Sequence, residues 1–331
     1  MTFPHITIIR NSSLHCALLA AMLSAPAAVT AQSYPAKTVR FVITYPTGGG
    51  SDFTVRPIAQ KLTERWGQSV VVESRPGGSA MIGTEFVVRS PADGYTLLLS
   101  ASSEVSMNTA LFKKMPYDPV RDLQPITLVG TTAPVLLAHP SLPAKNVKEL
   151  VALARAKPGE MSYASIGNGT PQHFAGELLK TTFKIDLIHV PYKGAAPALI
   201  DLLGGHVPIG LTAPTTAIPH IKSGRLRVLA VTSGQRSGAL PDVPTVAESG
   251  APGFDIVQWY AIWVAAKTPP EIAGKLHTDI TSIIHSADYK QRQLEAGTDI
   301  VGGSPAQLAD RQKTDIEKYR KIAAAAGIKP E

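Results

Sequence analysis

The feature that most constrains the fold is a repeated alternation of short apolar runs with stretches of helical periodicity. Apolar runs of strand length occupy residues 39–44, 70–72 and 95–100, and segments with helical spacing at 58–66 and 79–89 separate them. Strands that alternate with helices predict a parallel sheet. Because these strands are almost continuously apolar, we expect helices to cover both faces of the sheet.

The same alternation restarts further along the chain. Short strands are predicted at 161–165, 187–190, 207–211 and 226–231. The long apolar run 256–265 predicts a strand that returns the chain to the first sheet. The pattern is helical from Pro270 to Ala326, with breaks near Ala287 and Gly302. We therefore predict an α/β protein with two lobes that are joined by two crossover segments.

Three positions are typical of helix starts. Asn146 is followed three residues later by Glu149, a spacing in which the two side chains can satisfy free N–H groups of a first helical turn. Thr170 precedes Pro171, a residue that suits the first position of a helix. Ser79 is the third predicted N-cap, before a helix that extends to about residue 89.

The N-terminal residues 1–31 have the three parts of a secretory signal peptide. Arg10 supplies the positive charge, residues 16–23 form a short apolar core, and Val-Thr-Ala at 29–31 is a small-residue cleavage site. We expect cleavage after Ala31 and export to the periplasm. Cleavage would remove Cys16, the one cysteine of the sequence, so the mature chain would have neither a disulfide nor a thiol nucleophile.

Common catalytic and nucleotide-binding motifs are absent from the sequence. The glycines at 48–50 are not followed by Gly-Lys-Ser/Thr, and the pair at 167–169 lacks the third glycine of a dinucleotide fingerprint. The formal net charge is +7, but the basic residues form no stripe and the histidines are scattered. We therefore expect no catalysis, no cofactor, no metal site and no nucleic-acid partner, and an exported hydrolase or transferase is the alternative.

Loops rich in Gly, Ser and Thr follow the predicted strands and precede helices. Ligands of open α/β sheets bind at this carboxyl edge, where free N–H groups of helix N-termini favour carboxylates and phosphates. Arg75 and Lys193 lie at loop edges, so we expect neutral donors to hold the charge, with the hydroxyls of Thr47, Ser165 and Thr170 among them. The candidate ligand-binding residues are Tyr45, Thr47, Gly48, Gly49, Ser51, Gly77, Gly78, Ser79, Ser102, Ser165, Gly167, Asn168, Gly169, Thr170 and Tyr192.

These loops also carry a family resemblance. The motifs are YPTGG at 45–49, ESRPGG at 73–78, YAS at 163–165, GNGT at 167–170, HVPYKG at 189–194, PHIKSG at 219–224, LPDVPT at 240–245 and PGF at 252–254. In this order they resemble the Bug family, the periplasmic solute-binding proteins of tripartite tricarboxylate transporters. The resemblance covers essentially all of residues 34–331.

The resemblance implies a two-lobed periplasmic-binding-protein fold of type II-like form, with a ligand cleft between the lobes. We expect lobe 1 to comprise residues 32–130 plus 258–331, and lobe 2 residues 131–257. The resemblance also implies that the protein captures a small carboxylated solute for the membrane subunits of such a transporter. We expect the protein to be a monomer. Whether the solute is a dicarboxylate, an amino acid or an aromatic acid stays open at this point.

Overall fold

The computed structural model describes residues 1, 2, 4 and 34–331, which fall into two compact units, Met1–Ala36 and Lys37–Glu331. The apolar core and the cleavage site of the predicted signal peptide lie outside the described residues. Among the residues that are described, no helix combines the length and the apolar character that a membrane crossing requires. All described strands and helices lie in the second unit.

The strands form two separate sheets. In chain order they are β1 (Val39–Ile43), β2 (Val70–Ser74), β3 (Thr96–Ala101), β4 (Leu123–Thr132), β5 (Val135–Ala138), β6 (Ser162–Ser165), β7 (Ile188–Pro191), β8 (Ile209–Thr212), β9 (Arg227–Val231), β10 (Gln258–Ala265) and β11 (Asp299–Gly303). The six-stranded sheet has the order β11-β4-β10-β3-β1-β2, and the five-stranded sheet has the order β7-β6-β8-β5-β9. We call the part built on the six-stranded sheet the first lobe and the part built on the five-stranded sheet the second lobe.

Helices follow most strands. They are α1 (Gly50–Trp66), α2 (Met81–Val88), α3 (Asn108–Leu111), α4 (Val147–Ala156), α5 (Pro171–Phe183), α6 (Ala195–Leu203), α7 (Pro214–Lys222), α8 (Pro270–Ile284), α9 (Ala287–Glu295) and α10 (Pro305–Ala325), with a π-helical turn at Ser103–Met107 before α3. The predicted parallel pairing is present, since β1 pairs in parallel with both β2 and β3. The two-lobed α/β prediction is therefore confirmed.

The chain passes from one sheet to the other between β4 and β5 and returns between β9 and β10. The return strand β10 lies in the middle of the six-stranded sheet and runs antiparallel to β3 and β4. Its two tryptophans, Trp259 and Trp263, are fully buried. Each indole N–H has a buried partner, an oxygen of Asp315 at 2.7 Å and the Ser100 hydroxyl at 2.7 Å, so these rings belong to the core.

Near the C-terminal end, the chain at the predicted helix break near Gly302 forms a short strand, and a long helix follows it. Residues Asp299–Gly303 form β11, an edge strand that pairs antiparallel with β4 through an irregular register. Helix α10 reaches both lobes, because Tyr319 contacts Phe174 of α5 with ring centroids 4.9 Å apart. The precise limits proposed for the two lobes stay a prediction.

Candidate ligand-binding cleft

A cavity of about 700 Å³ lies between the loops of the two lobes, a volume within the range of roughly 300–1,000 Å³ that small-molecule sites occupy. Its wall takes residues from the segments 44–46, 76–80 and 103–112 of the first lobe. The second lobe contributes residues within 168–173, and the C-terminal residues within 328–331 complete the wall. The loop contributions lie where β1, β2, β3 and β6 end, which is the edge that the sequence pattern predicted.

The loop between β1 and α1 is organised by Asp52. The Asp52 carboxylate accepts hydrogen bonds from the Gly48 N–H at 3.0 Å and from Nε of Arg56 at 2.9 Å. The Arg56 guanidinium, together with the Gly48 N–H, holds the pKa of this carboxyl below its usual range, although burial opposes the shift. The Gly48 N–H therefore already has an internal acceptor, whereas the N–H groups of the first α1 turn have no intrahelical acceptor.

The loop between β2 and α2 has an unusual backbone. Four successive residues, Gly77, Gly78, Ser79 and Ala80, have positive φ angles of 114°, 54°, 53° and 69°. Such conformations are costly for Ser and Ala, and they concentrate at functional sites. The prediction that Ser79 caps the following helix is wrong, because the N-cap is Ala80 and no side-chain cap bond forms. Instead, the Asn108 amide donates to the Ser79 carbonyl at 2.8 Å and ties this loop to α3.

Glu104, in the π-helical turn after β3, is a buried acid that the sequence analysis did not select. Its Oε1 accepts hydrogen bonds from the Thr44 hydroxyl at 2.6 Å and from the Ala101 N–H at 2.8 Å, and the Tyr45 hydroxyl lies 3.4 Å from Oε2. Burial raises the pKa of the Glu104 carboxyl to about 7, and these hydrogen bonds oppose the shift. Because Thr44 and Tyr45 both line the cavity, Glu104 supports the wall from behind. The sequence signal that could have identified Glu104 is an acidic residue just after the end of a buried strand.

Ser102 precedes this turn and is fully buried. Among the described residues its hydroxyl has no hydrogen-bond partner, and the same is true of Ser106. Ser103, rather than Ser102, lines the cavity.

The second-lobe loop between β6 and α5 holds its own hydroxyl groups. The Thr170 hydroxyl donates to the Gly167 carbonyl at 2.7 Å and accepts from the His173 N–H at 3.3 Å, which confirms the predicted N-cap. The Ser165 hydroxyl lies 2.7 Å from Nε2 of His189 and accepts from the Gly167 N–H at 3.2 Å. Both hydroxyls therefore shape the loop, of which Asn168, Gly169 and Thr170 line the cavity.

Gly169 marks a close approach between the lobes. Its φ angle is +72°, and a Cβ atom at this position would lie 2.6 Å from Cδ1 of Leu111 in α3. Only glycine adopts this conformation readily and leaves room for that contact. The Leu111 side chain of the first lobe therefore packs directly against the binding loop of the second.

Three histidine and acid side chains that are separated in the sequence meet beside this loop. Ligand atoms of His173, Glu177 and His189 all lie within 4.8 Å of one another. The two imidazole rings stack with centroids 4.3 Å apart and an angle of 9° between their planes, so one metal ion could not lie in both ring planes. The Lys180 ammonium is 3.1 Å from the Glu177 carboxylate and already neutralises it. The donor set therefore does not fit a metal.

The stacked histidines instead support the loop. Nδ1 of His173 accepts from the Gly169 N–H at 3.2 Å, and His189 stacks on Tyr163 with centroids 4.8 Å apart. Burial lowers the pKa of His173, and burial together with the neighbouring His173 lowers the pKa of His189 to about 4. Both rings are therefore neutral near pH 7.

The candidate residues fall into two groups by position. Those in the cavity wall are Tyr45, Gly77, Ser79, Asn168, Gly169 and Thr170. Those that lie in the same segments without lining the cavity are Thr47, Gly48, Gly49, Ser51, Gly78, Ser102, Ser165, Gly167 and Tyr192. The Tyr192 hydroxyl donates to Asp201 at 2.6 Å and so has a partner within its own lobe. A ligand-binding role for these residues stays a prediction.

The fold and the site define a class of protein. Two α/β lobes, linked by two crossovers and enclosing a loop-lined cleft, form the architecture of solute-binding proteins. The chain matches the model of the tripartite tricarboxylate transporter family receptor over residues 54–328, and it belongs to this family. The family and its structural neighbours are solute-binding proteins, which disfavours the alternative of an exported enzyme.

Individual relatives are similar to this chain over most of their length. Protein BugT of Bordetella pertussis is 34% identical over 304 residues, which cover 92% of this chain and 93% of BugT. A protein of R. palustris solved with adipate is 33% identical with a TM-score of 0.79, and the match covers 90% of this chain and 100% of that one. The periplasmic binding protein BugD is 31% identical with a TM-score of 0.75, at coverages of 90% and 100%. The predicted resemblance to the Bug family is therefore confirmed.

Proposed function

We propose that this protein captures a small carboxylated organic solute in the cleft and delivers it to the membrane subunits of a tripartite tricarboxylate-type transporter. The family supports the general role, and the adipate bound by a relative supports the ligand class. Delivery to a transporter is what the family description implies.

The observation that carries the proposal is the convergence of two helix N-termini on one cleft. The N-cap Ala80 of α2 and the N-cap Thr170 of α5 both line the cavity, together with Gly77 and Ser79 before α2 and Asn168 and Gly169 before α5. Free N–H groups and the partial positive charge at such ends favour anions. Both helices are long enough to present a full first turn, with 8 and 13 residues.

We further propose that residues 1–31 are a signal peptide and that the mature protein acts in the periplasm as a monomer. Two lobes, 32–130 plus 258–331 and 131–257, would close on the solute by bending at the crossovers. Intact mass of periplasmic material should correspond to a chain that begins at Gln32. A mature chain that retains residues 1–31 would contradict the proposal.

Calorimetry with a panel of linear, amino and aromatic carboxylates tests the ligand class. Each acid is paired with its uncharged amide, so that shape is matched and charge alone differs. A ligand that binds the folded state also raises the melting temperature, which provides a second readout. We expect at least one acid to bind and its amide not to bind. Binding of the amides with equal affinity, or of no acid, would overturn the proposal.

A further inference from the structure

The C-terminal residues form one side of the cleft. Ile328, Lys329 and Glu331 line the cavity together with Leu111 and Phe112. We call these five residues the C-terminal wall. It includes three apolar side chains beside a lysine and a glutamate, and the sequence analysis did not connect it with the site.

This wall is held on both sides of Lys329. The Ile328 N–H donates to the Ala323 carbonyl at 2.9 Å, and its side chain packs against the core. On the other side, the Glu331 N–H donates to the Leu111 carbonyl at 2.8 Å, and the Lys113 N–H donates to a backbone oxygen of Glu331 at 2.8 Å. The backbone of Lys329 is thus fixed between two anchored residues, and its exposed side chain extends from this position in the wall.

Among the residues that the structure describes, Lys329 is the only lysine or arginine in the cavity wall. Among those residues its ammonium has no ion pair and no hydrogen bond. The two cations expected near the loops are placed differently. Arg75 pairs with Glu73 and lies over the Phe86 ring at 3.7 Å, and Lys193 does not line the cavity.

We propose that Lys329 binds the distal anionic group of the solute and selects linear dicarboxylates over monocarboxylates. This inference rests on the proposed function, in which the glycine loops hold the first carboxylate. The methylene chain would then lie on Leu111, Phe112 and Ile328, and the second carboxylate would reach the ammonium.

Calorimetry on the wild type, Lys329→Gln, Lys329→Arg and the control Lys193→Gln tests the inference. The ligands are linear dicarboxylates and monocarboxylates of equal chain length. Since a hydrogen bond to a charged group is lost, Lys329→Gln should weaken dicarboxylate binding by about 10-fold and monocarboxylate binding less than twofold. Lys329→Arg should retain the preference, and Lys193→Gln should change neither affinity. Circular dichroism and melting temperature verify that each variant is folded.

The outcomes separate this inference from the proposed function. If the wild type binds carboxylates but Lys329→Gln changes neither affinity, or weakens both equally, the role of Lys329 is wrong and the proposed function stands. If the wild type binds no carboxylate of either kind, both are overturned. An equal loss in Lys193→Gln would also overturn the role of Lys329, because general surface charge would then explain the effect.

Discussion

The Thr44 hydroxyl donates a 2.6 Å hydrogen bond to the buried carboxyl of Glu104, 60 residues further along the chain. Thr44 follows β1 directly and lines the cleft, whereas Glu104 lies behind it in the π-helical turn that follows β3. The bond joins the ends of two neighbouring strands at the edge where the ligand loops begin. A buried acid therefore determines how a polar wall residue is oriented.

Glu104 should make the stability of the protein depend on pH. Its folded-state pKa is about 7, raised from 4.5. Between these two pH values, the native state therefore keeps a proton that the unfolded state has lost. The stabilisation is complete below about pH 4.5 and is lost as the pH rises through 7, by about 3 kcal/mol in the free energy of unfolding. Urea unfolding should show this pH dependence in the difference between the free energies of unfolding of the wild type and Glu104→Gln. Parallel stability profiles for the two proteins would contradict it.

The stacked histidines should make the stability of the protein depend on pH in the sense opposite to Glu104. Because the folded-state pKa of His189 is about 4, below the ordinary histidine value of 6.5, the unfolded chain takes up a proton first as the pH falls. The stability contributed by the neutral ring is present above pH 6.5 and is lost as the pH falls toward 4. Proton NMR of the imidazole signals should show His189 neutral at pH 5.5. A protonated His189 at that pH would show that the ring is solvated.

Thr170 should influence binding through loop geometry. Thr170→Val removes both the cap of α5 and the hydrogen bond to Gly167, so the protein should lose about 1 kcal/mol of stability and bind its solute more weakly. Thr170→Ser keeps the hydroxyl and should retain both properties. Thermal unfolding and calorimetry on the two variants measure the effect. Weaker binding in Thr170→Val with unchanged stability would instead indicate direct contact of the hydroxyl with the ligand.

The contact between Gly169 and Leu111 should control how the two walls of the cleft fit. Gly169→Ala forces a Cβ to within 2.6 Å of Leu111 Cδ1 at a φ of +72°, and this overpacking should weaken solute binding by about 10-fold. Gly224→Ala is the matched control, because Gly224 has a φ of +70° and no atom within 4 Å of the added Cβ. It should cost stability without changing affinity.

A double-mutant cycle separates the steric part of this effect from the backbone part. Shortening Leu111 to Ala in the Gly169→Ala background should recover part of the lost affinity, since it removes the clashing atom. Calorimetry on both single variants and the double variant gives the coupling. Strict additivity would show that Leu111 and Gly169 do not limit the fit.

Much of the local structure was predictable because its causes lie within a few residues. The apolar run at 39–44 and the helical spacing after it are short-range patterns, and β1 and α1 follow from them. The caps at Asn146 and Thr170 depend on side chains that reach N–H groups one turn away. The position of the cleft also followed, because glycine loops at the ends of parallel strands meet at one edge.

What only the tertiary structure decided depends on residues that are far apart in the chain. The raised pKa of Glu104 comes from burial of the π-helical turn, which packs against α10 and β3, and the stack of His173 on His189 comes from the packing of α5 on β7. Lys329 reaches the cleft because Glu331 pairs with Leu111 and Lys113, more than 200 residues earlier in the sequence. Periodicity and capping carry no information about such contacts, since desolvation and charge placement arise only when distant segments share one interior. The sequence by itself therefore determined the binding edge, and packing decided which charged groups lie at that edge.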